Sequence, residues 1–208
     1  MKKIDSILIN HLWSNKKHYI EKNVMLNSLS EGGLNMVDIY SKSIAIKCKW
    51  VKKITETDTG FLNSIVKYFI PSNSRLFWCG NLKVSDAFQF MTHPSLFWKS
   101  VLQAWCIYNF SIPSNYTEIY NQQIWYNSFI LIQQKPIFCN YLYTKGITFI
   151  KDLVNEDGYI MPVRDIMVKY NLNNNSIMVL NSIVDAIPQQ WKAVINSNLH
   201  NTDGNLQY

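Results

Sequence analysis

The strongest constraint on the fold lies between Asp38 and Ile54, where the chain is patterned for one amphipathic helix. Asp38 suits the position before a helix, since its carboxylate can accept a bond from an orphan amide of the first turn. At about 100° per residue, Ile39, Ile46, Trp50 and Ile54 fall on one side, and Tyr40, Ile44 and Val51 continue the apolar arc. Lys42, Lys49 and Lys53 align within about 40° of one another, with Lys52 beside them. The pattern predicts a helix with one buried side and one cationic stripe. At 208 residues the chain is long enough to bury a sizeable core around it.

The same reading along the chain gives a mainly α fold with minor β and turn content. Ile4, Ile7, Leu8 and His11-Leu12 have helical spacing, and Trp13 to Ile20 breaks it as a loop or short extended piece. Val24 to Leu29 reads as a short helix or turn, and Gly32-Gly33 supplies freedom for a sharp reversal. Phe61 to Ile70 is a further helix, and Trp78-Cys79-Gly80-Asn81 reads as a loop. Pro94 opens a helix to about Phe110, with Leu96-Phe97, Val101, Trp105 and Tyr108 expected on its buried face. Ser111 to Gln122 looks irregular, and Trp125 to Ile132 fits a strand or a loop. Gly146 to Leu153, Pro162 to Tyr170, Ser176 to Ala186 and a segment around Gln190-Trp191 read as helices, with a tight turn at Glu156-Asp157-Gly158. The asparagine richness reads as compositional, and the tail 196–208 as polar and frayed.

Charge is unevenly placed. Residues 1–53 carry ten lysines against Asp5, Glu21, Glu31 and Asp38, while basic and acidic groups balance in the remainder. The whole net charge of +6 therefore sits in the first quarter. A local basic field concentrates polyanions, whereas a uniformly basic chain gains only solubility. Lys16 and Lys17, beside Trp13 and Tyr19, add a paired cation on the predicted loop. Phosphate contact and plain solvation both fit these lysines. Trp13 and Trp50 fit core positions as well as base-stacking ones.

Several function classes lack their signatures. No apolar run approaches the roughly 20 residues of a membrane span, and Met1-Lys2-Lys3-Ile4-Asp5 does not open a secretory signal. The expectation is an intracellular chain with four reduced, widely spaced cysteines, Cys48, Cys79, Cys106 and Cys139. Paired aspartates of a two-metal polymerase or nuclease do not occur. The four histidines, His11, His18, His93 and His200, never stand at i,i+4 spacing, and no phosphate loop or nucleophile elbow appears. These absences predict a chain that is not an enzyme by itself and needs no metal or cofactor.

Leu12-Trp13, Lys16-Lys17, Glu31-Gly32-Gly33-Leu34, Asp38, Tyr40, Ala45 and Trp50 together resemble the region just past the polymerase core of LINE-type (non-LTR) retrotransposon reverse transcriptases. Ile124-Trp125-Tyr126-Asn127-Ser128, Lys145-Gly146-Ile147 and Asp152 to Gly158 are similar to the far C-terminal region of the same elements. So are Lys169 to Leu172 and Ala186 to Trp191. The resemblance implies a thumb-like helical region over 1–110 and a small, mostly helical connector over 111–195. It also implies an upstream palm and fingers as partners. RNA or an RNA/DNA template–primer is the implied ligand, held at Lys16, Lys17, Lys42, Lys49, Lys52 and Lys53, with Trp13 or Tyr19 stacking and Gly32 and Gly33 shaping the turn. The rival expectation is a helical scaffold, or a decayed element product without activity of its own. It is motivated by the neutral, aromatic-rich region after residue 54.

Overall fold

Asp38 starts the longest helix of the chain, as its side chain predicts. Its Oδ2 accepts from the Ser41 amide at 2.9 Å and from the Ser41 hydroxyl at 2.6 Å. The computed structural model describes residues 2–12, 14, 20–56, 61–70, 74–92 and 95–197. Trp13, Lys16, Lys17 and Tyr19 lie outside them, as does the tail from 198.

The molecule is mainly helical. In chain order the helices are α1 (Lys2–Leu12), α2 (Lys22–Leu26), α3 (Ile39–Glu56), α4 (Phe61–Phe69), α5 (Ser74–Cys79) and α6 (Val84–Phe88). They continue as α7 (Leu96–Asn109), α8 (Tyr116–Tyr120), α9 (Asn140–Thr144), α10 (Val163–Lys169), α11 (Ile177–Ala186) and α12 (Gln189–Ser197). One two-stranded antiparallel ribbon joins β1 (Leu131–Ile132) to β2 (Lys135–Pro136).

The turn before α3 uses its two glycines for different reasons. Gly32 ends a 3-10 turn at φ +77°, a left-handed conformation with open space around it. Gly33 is buried, and a Cβ there would collide with the Asn27 carbonyl and lie 2.6 Å from that of Val24. Glu31 ties the turn back to Ser28, accepting from its hydroxyl at 2.9 Å.

α3 lies along α7 and also touches α4 and α5; α6 packs on α7 as well. Ser95 Oγ accepts from the Trp98 amide at the start of α7. The buried side of α7 is Trp98, Val101, Leu102, Ala104 and Cys106. Leu96, at 88% exposure, and Phe97 and Tyr108 face outward instead of joining the core as their sequence spacing suggested. Apolar residues surround this helix on nearly every side, so periodicity selects no face, and packing against α3 and α6 decides it. Two further expectations are corrected: Trp78-Cys79 lie inside α5, and the irregular stretch 111–122 contains α8. Asn115 Oδ1 caps α8 by accepting the Glu118 amide at 2.9 Å.

One buried cluster runs without a break from Val51 to Ile195. At its centre, Phe77, Phe90, Tyr126 and Phe138 meet through edge and stacked contacts of 5.1–5.7 Å. The segment Ile124 to Ser128, neither strand nor helix, is sunk among them. Trp125 Nε1 donates to the Ile147 carbonyl at 2.8 Å. Asn127, fully buried, donates to the Gln123 carbonyl at 2.7 Å and accepts the Phe129 amide at 2.9 Å. Side-chain amides here do the work a β-ladder does elsewhere, pairing buried backbone groups of irregular chain.

Candidate nucleic-acid interface

On α3 the buried side is set by Val51 and Ile54, with Ile44, Lys47, Cys48 and Trp50 half-buried around them. Lys42, Lys49, Lys52 and Lys53 are all exposed. The helix is turned slightly from its sequence-predicted setting: Ile46, expected on the buried side, stands 52% exposed between Lys42 and Lys49. The outer face therefore presents three aligned lysines with one aliphatic residue among them. Lys42 to Lys53 spans about 16 Å of helix axis.

The four cations are not equivalent. Lys52 Nζ pairs with Glu56 at 3.7 Å across one helical turn, with both groups well exposed. Lys53 Nζ stands 5.5 Å from the centre of the Trp50 ring. Trp50 in turn meets Phe97 and Trp98 edge-on at 5.6 and 6.4 Å. Its ring is a half-buried part of the α3–α7 contact, with the Lys53 cation over it. Lys42 and Lys49 have no ion pair or side-chain hydrogen bond among the described residues.

The acids at the two ends of α3 are already engaged. Glu56 faces Lys52. The Ser41 hydroxyl and then the Ser41 amide hold the Asp38 carboxyl below the usual carboxylate range, with Lys22, 3.7 Å away, acting in the same direction. The face between them exposes Lys42, Lys49 and Lys53.

Beside this face, α3 and α7 enclose an open groove of about 790 Å³. Ile44, Ala45, Cys48 and Trp105 form its apolar surface, and Lys49 and Lys52 stand at its edge. Cys48 Sγ donates to the Ala104 carbonyl at 3.8 Å, and burial pushes its thiol up.

A second cleft, of about 530 Å³, was not legible in the sequence. It opens where α5 and the end of α7 meet the segment leading to Ile124, and carboxamides make up much of its wall. Asparagines that read as compositional are structural here. Asn81 Nδ2 donates to the Ser111 carbonyl at 2.8 Å, and Asn109 Nδ2 donates to that of Gly80 at 3.0 Å. Nothing in their spacing marks them, because their partners lie about thirty residues away in the chain.

No group of three or more His, Cys, Asp or Glu side chains is placed to hold a metal among the described residues. No described helix is long and apolar enough to cross a membrane. No protein-family model, curated protein or solved structure matches the chain.

Proposed function

We propose that this chain is a sequence-tolerant grip for RNA or an RNA/DNA duplex, acting through the outer face of α3 and without catalysis of its own. The observation that carries the reading is the exposed row Lys42, Lys49 and Lys53 on a helix anchored along its opposite side. Phosphate contact needs cations held at fixed spacing and no reading of base edges. A row about 16 Å long covers roughly five phosphates of one strand. The concentration of net charge in residues 1–53 supports the same reading, as does the resemblance to the thumb and connector of LINE-type reverse transcriptases. In that setting a palm and fingers supplied elsewhere would perform the chemistry, and this chain would hold the template–primer.

Fluorescence anisotropy with a 20-base-pair RNA–DNA hybrid across a salt series tests it. Three phosphate contacts give a slope of log affinity against log salt near −2.7, or about 40-fold weaker binding between 50 and 200 mM salt. Replacing Lys42, Lys49 and Lys53 together with alanine removes most of the affinity and flattens the slope. A salt-independent affinity, or a triple variant that binds like the parent, overturns the reading.

One observation favours the rival scaffold reading: α7 exposes Leu96 and Phe97 near its start and Ile107 and Tyr108 in the wall of the α3 groove. Tyr108 is 71% exposed, so this surface suits an apolar protein contact. Self-association or partner binding that persists at high salt, with no hybrid binding, would decide for it.

A further inference from the structure

The carboxamide cleft carries a recognition pattern that its own protein contacts leave unused. Gln123 is only 7% exposed, and its side-chain nitrogen donates to the Leu76 carbonyl at 3.0 Å and to the Trp125 carbonyl at 2.7 Å. Both N–H groups are thereby spent, which fixes the amide's orientation and leaves Oε1 without a donor among the described residues. That oxygen is not sealed in, since Trp78 Nε1 is the one buried side-chain N or O atom without a partner among the described residues. Gln123 Oε1 keeps solvent access on a residue that lines the cleft.

Gln122 contributes the complementary group. Asn81 Oδ1 accepts the Ser111 amide at 3.1 Å, so its Nδ2 is the end that donates to Gln122 Oε1 at 3.0 Å. Asn127 Nδ2 donates to the same oxygen at 3.3 Å. Gln122 therefore has one orientation, and its Nε2 keeps two donors with no acceptor among the described residues. The cleft thus offers a donor and an acceptor from adjacent residues. Phe149 and Tyr143 add aromatic surface, and Lys151 Nζ stands 4.9 Å from the Phe149 ring centre. Arg75, on α5, lines the same space and forms no ion pair among the described residues.

We propose that this cleft is a nucleotide site. A planar base with donors and acceptors on one edge meets Gln122 and Gln123 while lying against Phe149 or Tyr143, and its phosphate meets Arg75. A neutral sugar would use the amides and a ring but leave the guanidinium without a partner. The volume is within the range of small-ligand clefts, about 300–1,000 Å³. The nucleotide is either free or an unstacked unit of a single strand, and the cleft does not depend on the lysine face of α3.

Cys79, an exposed thiol in the cleft wall, provides the readout. Its alkylation by iodoacetamide is followed by peptide mass spectrometry in the presence of each of the four nucleoside 5′-monophosphates, uridine, inorganic phosphate or pentauridylate. Cys106, buried with its thiol pushed up to about 12, serves as the slow internal control. At least one monophosphate, or pentauridylate, is expected to slow Cys79 labelling several-fold at saturation. Protection by a monophosphate without pentauridylate identifies a free nucleotide, and protection by pentauridylate, with or without a monophosphate, identifies a cleft that admits a strand. Gln122→Glu keeps an acceptor for Asn81 and Asn127 but replaces the free donors with a carboxylate, and should raise the protecting concentration about tenfold or more. Arg75→Ala, at an exposed position that leaves the core intact, should reduce protection to the level given by uridine. The Lys42/Lys49/Lys53→Ala protein should be protected as well as the parent, which separates this site from the α3 reading. No protection by any nucleotide, or equal protection by inorganic phosphate alone, overturns the proposal.

Discussion

Gly80 shows how closely the two stretches of chain around the aromatic centre approach. A Cβ at this position would collide with the Tyr126 carbonyl and stand 2.7 Å from the Tyr126 Cβ. Tyr126 itself adopts φ +52°, a conformation that is strained for an aromatic residue, and it is held there by ring contacts with Phe77, Phe90 and Phe138. Neither side can move away at low cost. Gly80→Ala should therefore destabilise the protein by about 1–3 kcal/mol in urea unfolding, as overpacking of a closed core does. Gly32→Ala meets no neighbour and pays only for its left-handed backbone, about 1–2 kcal/mol. The sequence marked the Gly32-Gly33 pair as a turn but gave Gly80 no distinction. A close approach between residues 80 and 126 has no local signature.

At the scale of the element, α3 was the most legible part of the chain because its information is local. Asp38, the lysine spacing and the apolar arc lie within one stretch and act on one another. The Asp38 cap also makes a pH prediction. Its folded carboxyl is held low by Ser41, so its contribution is complete above the ordinary carboxylate value near pH 4 and fades as pH falls through the lower folded value. Thermal melts of the parent and Asp38→Ala should differ most at pH 6 and converge progressively below about pH 4, while Asp38→Asn, which keeps an acceptor oxygen, should retain much of the cap. A gap between parent and Asp38→Ala that widened toward low pH would remove Asp38 as the cap. For α7 the periodicity was uninformative: leucine, phenylalanine, tryptophan and tyrosine occupy so much of its circumference that only the positions of α3 and α6 select the buried side. The carboxamide cleft was illegible for a third reason. Arg75, Asn81, Gln122 and Phe149 belong to separate segments and become neighbours only when the core closes.

At the scale of the whole molecule, the buried cluster continues across residues 110 and 111. Phe77 and Phe90 come from one side of that point, and Tyr126 and Phe138 from the other. Asn81 likewise bonds to Ser111 and Gln122. Separating the chain at residue 110 would open this aromatic contact to water on both pieces. Neither 1–110 nor 111–197 alone should show the single sharp thermal transition expected of the intact chain by circular dichroism. A sharp transition in either piece would show that the aromatic contact is dispensable. The C-terminal part of the resemblance, from Ile124-Trp125-Tyr126-Asn127-Ser128 to Trp191, falls on residues with internal duties. Trp125 and Asn127 hold irregular backbone, and Trp191 packs 5.3 Å from Phe129.

That continuous core has a consequence for any ligand of this protein. If the whole cluster unfolds together, a nucleotide in the cleft and a duplex on α3 both act on the same equilibrium. Each adds an increment of RT ln(1 + [L]/Kd), wherever it binds. A shift in melting temperature would then report occupancy summed over the molecule and carry no address. Two ligands at separate sites would look like one ligand at a higher concentration. Only site-resolved signals, the Cys79 thiol for the cleft and the Trp50 ring under Lys53 for α3, can tell them apart.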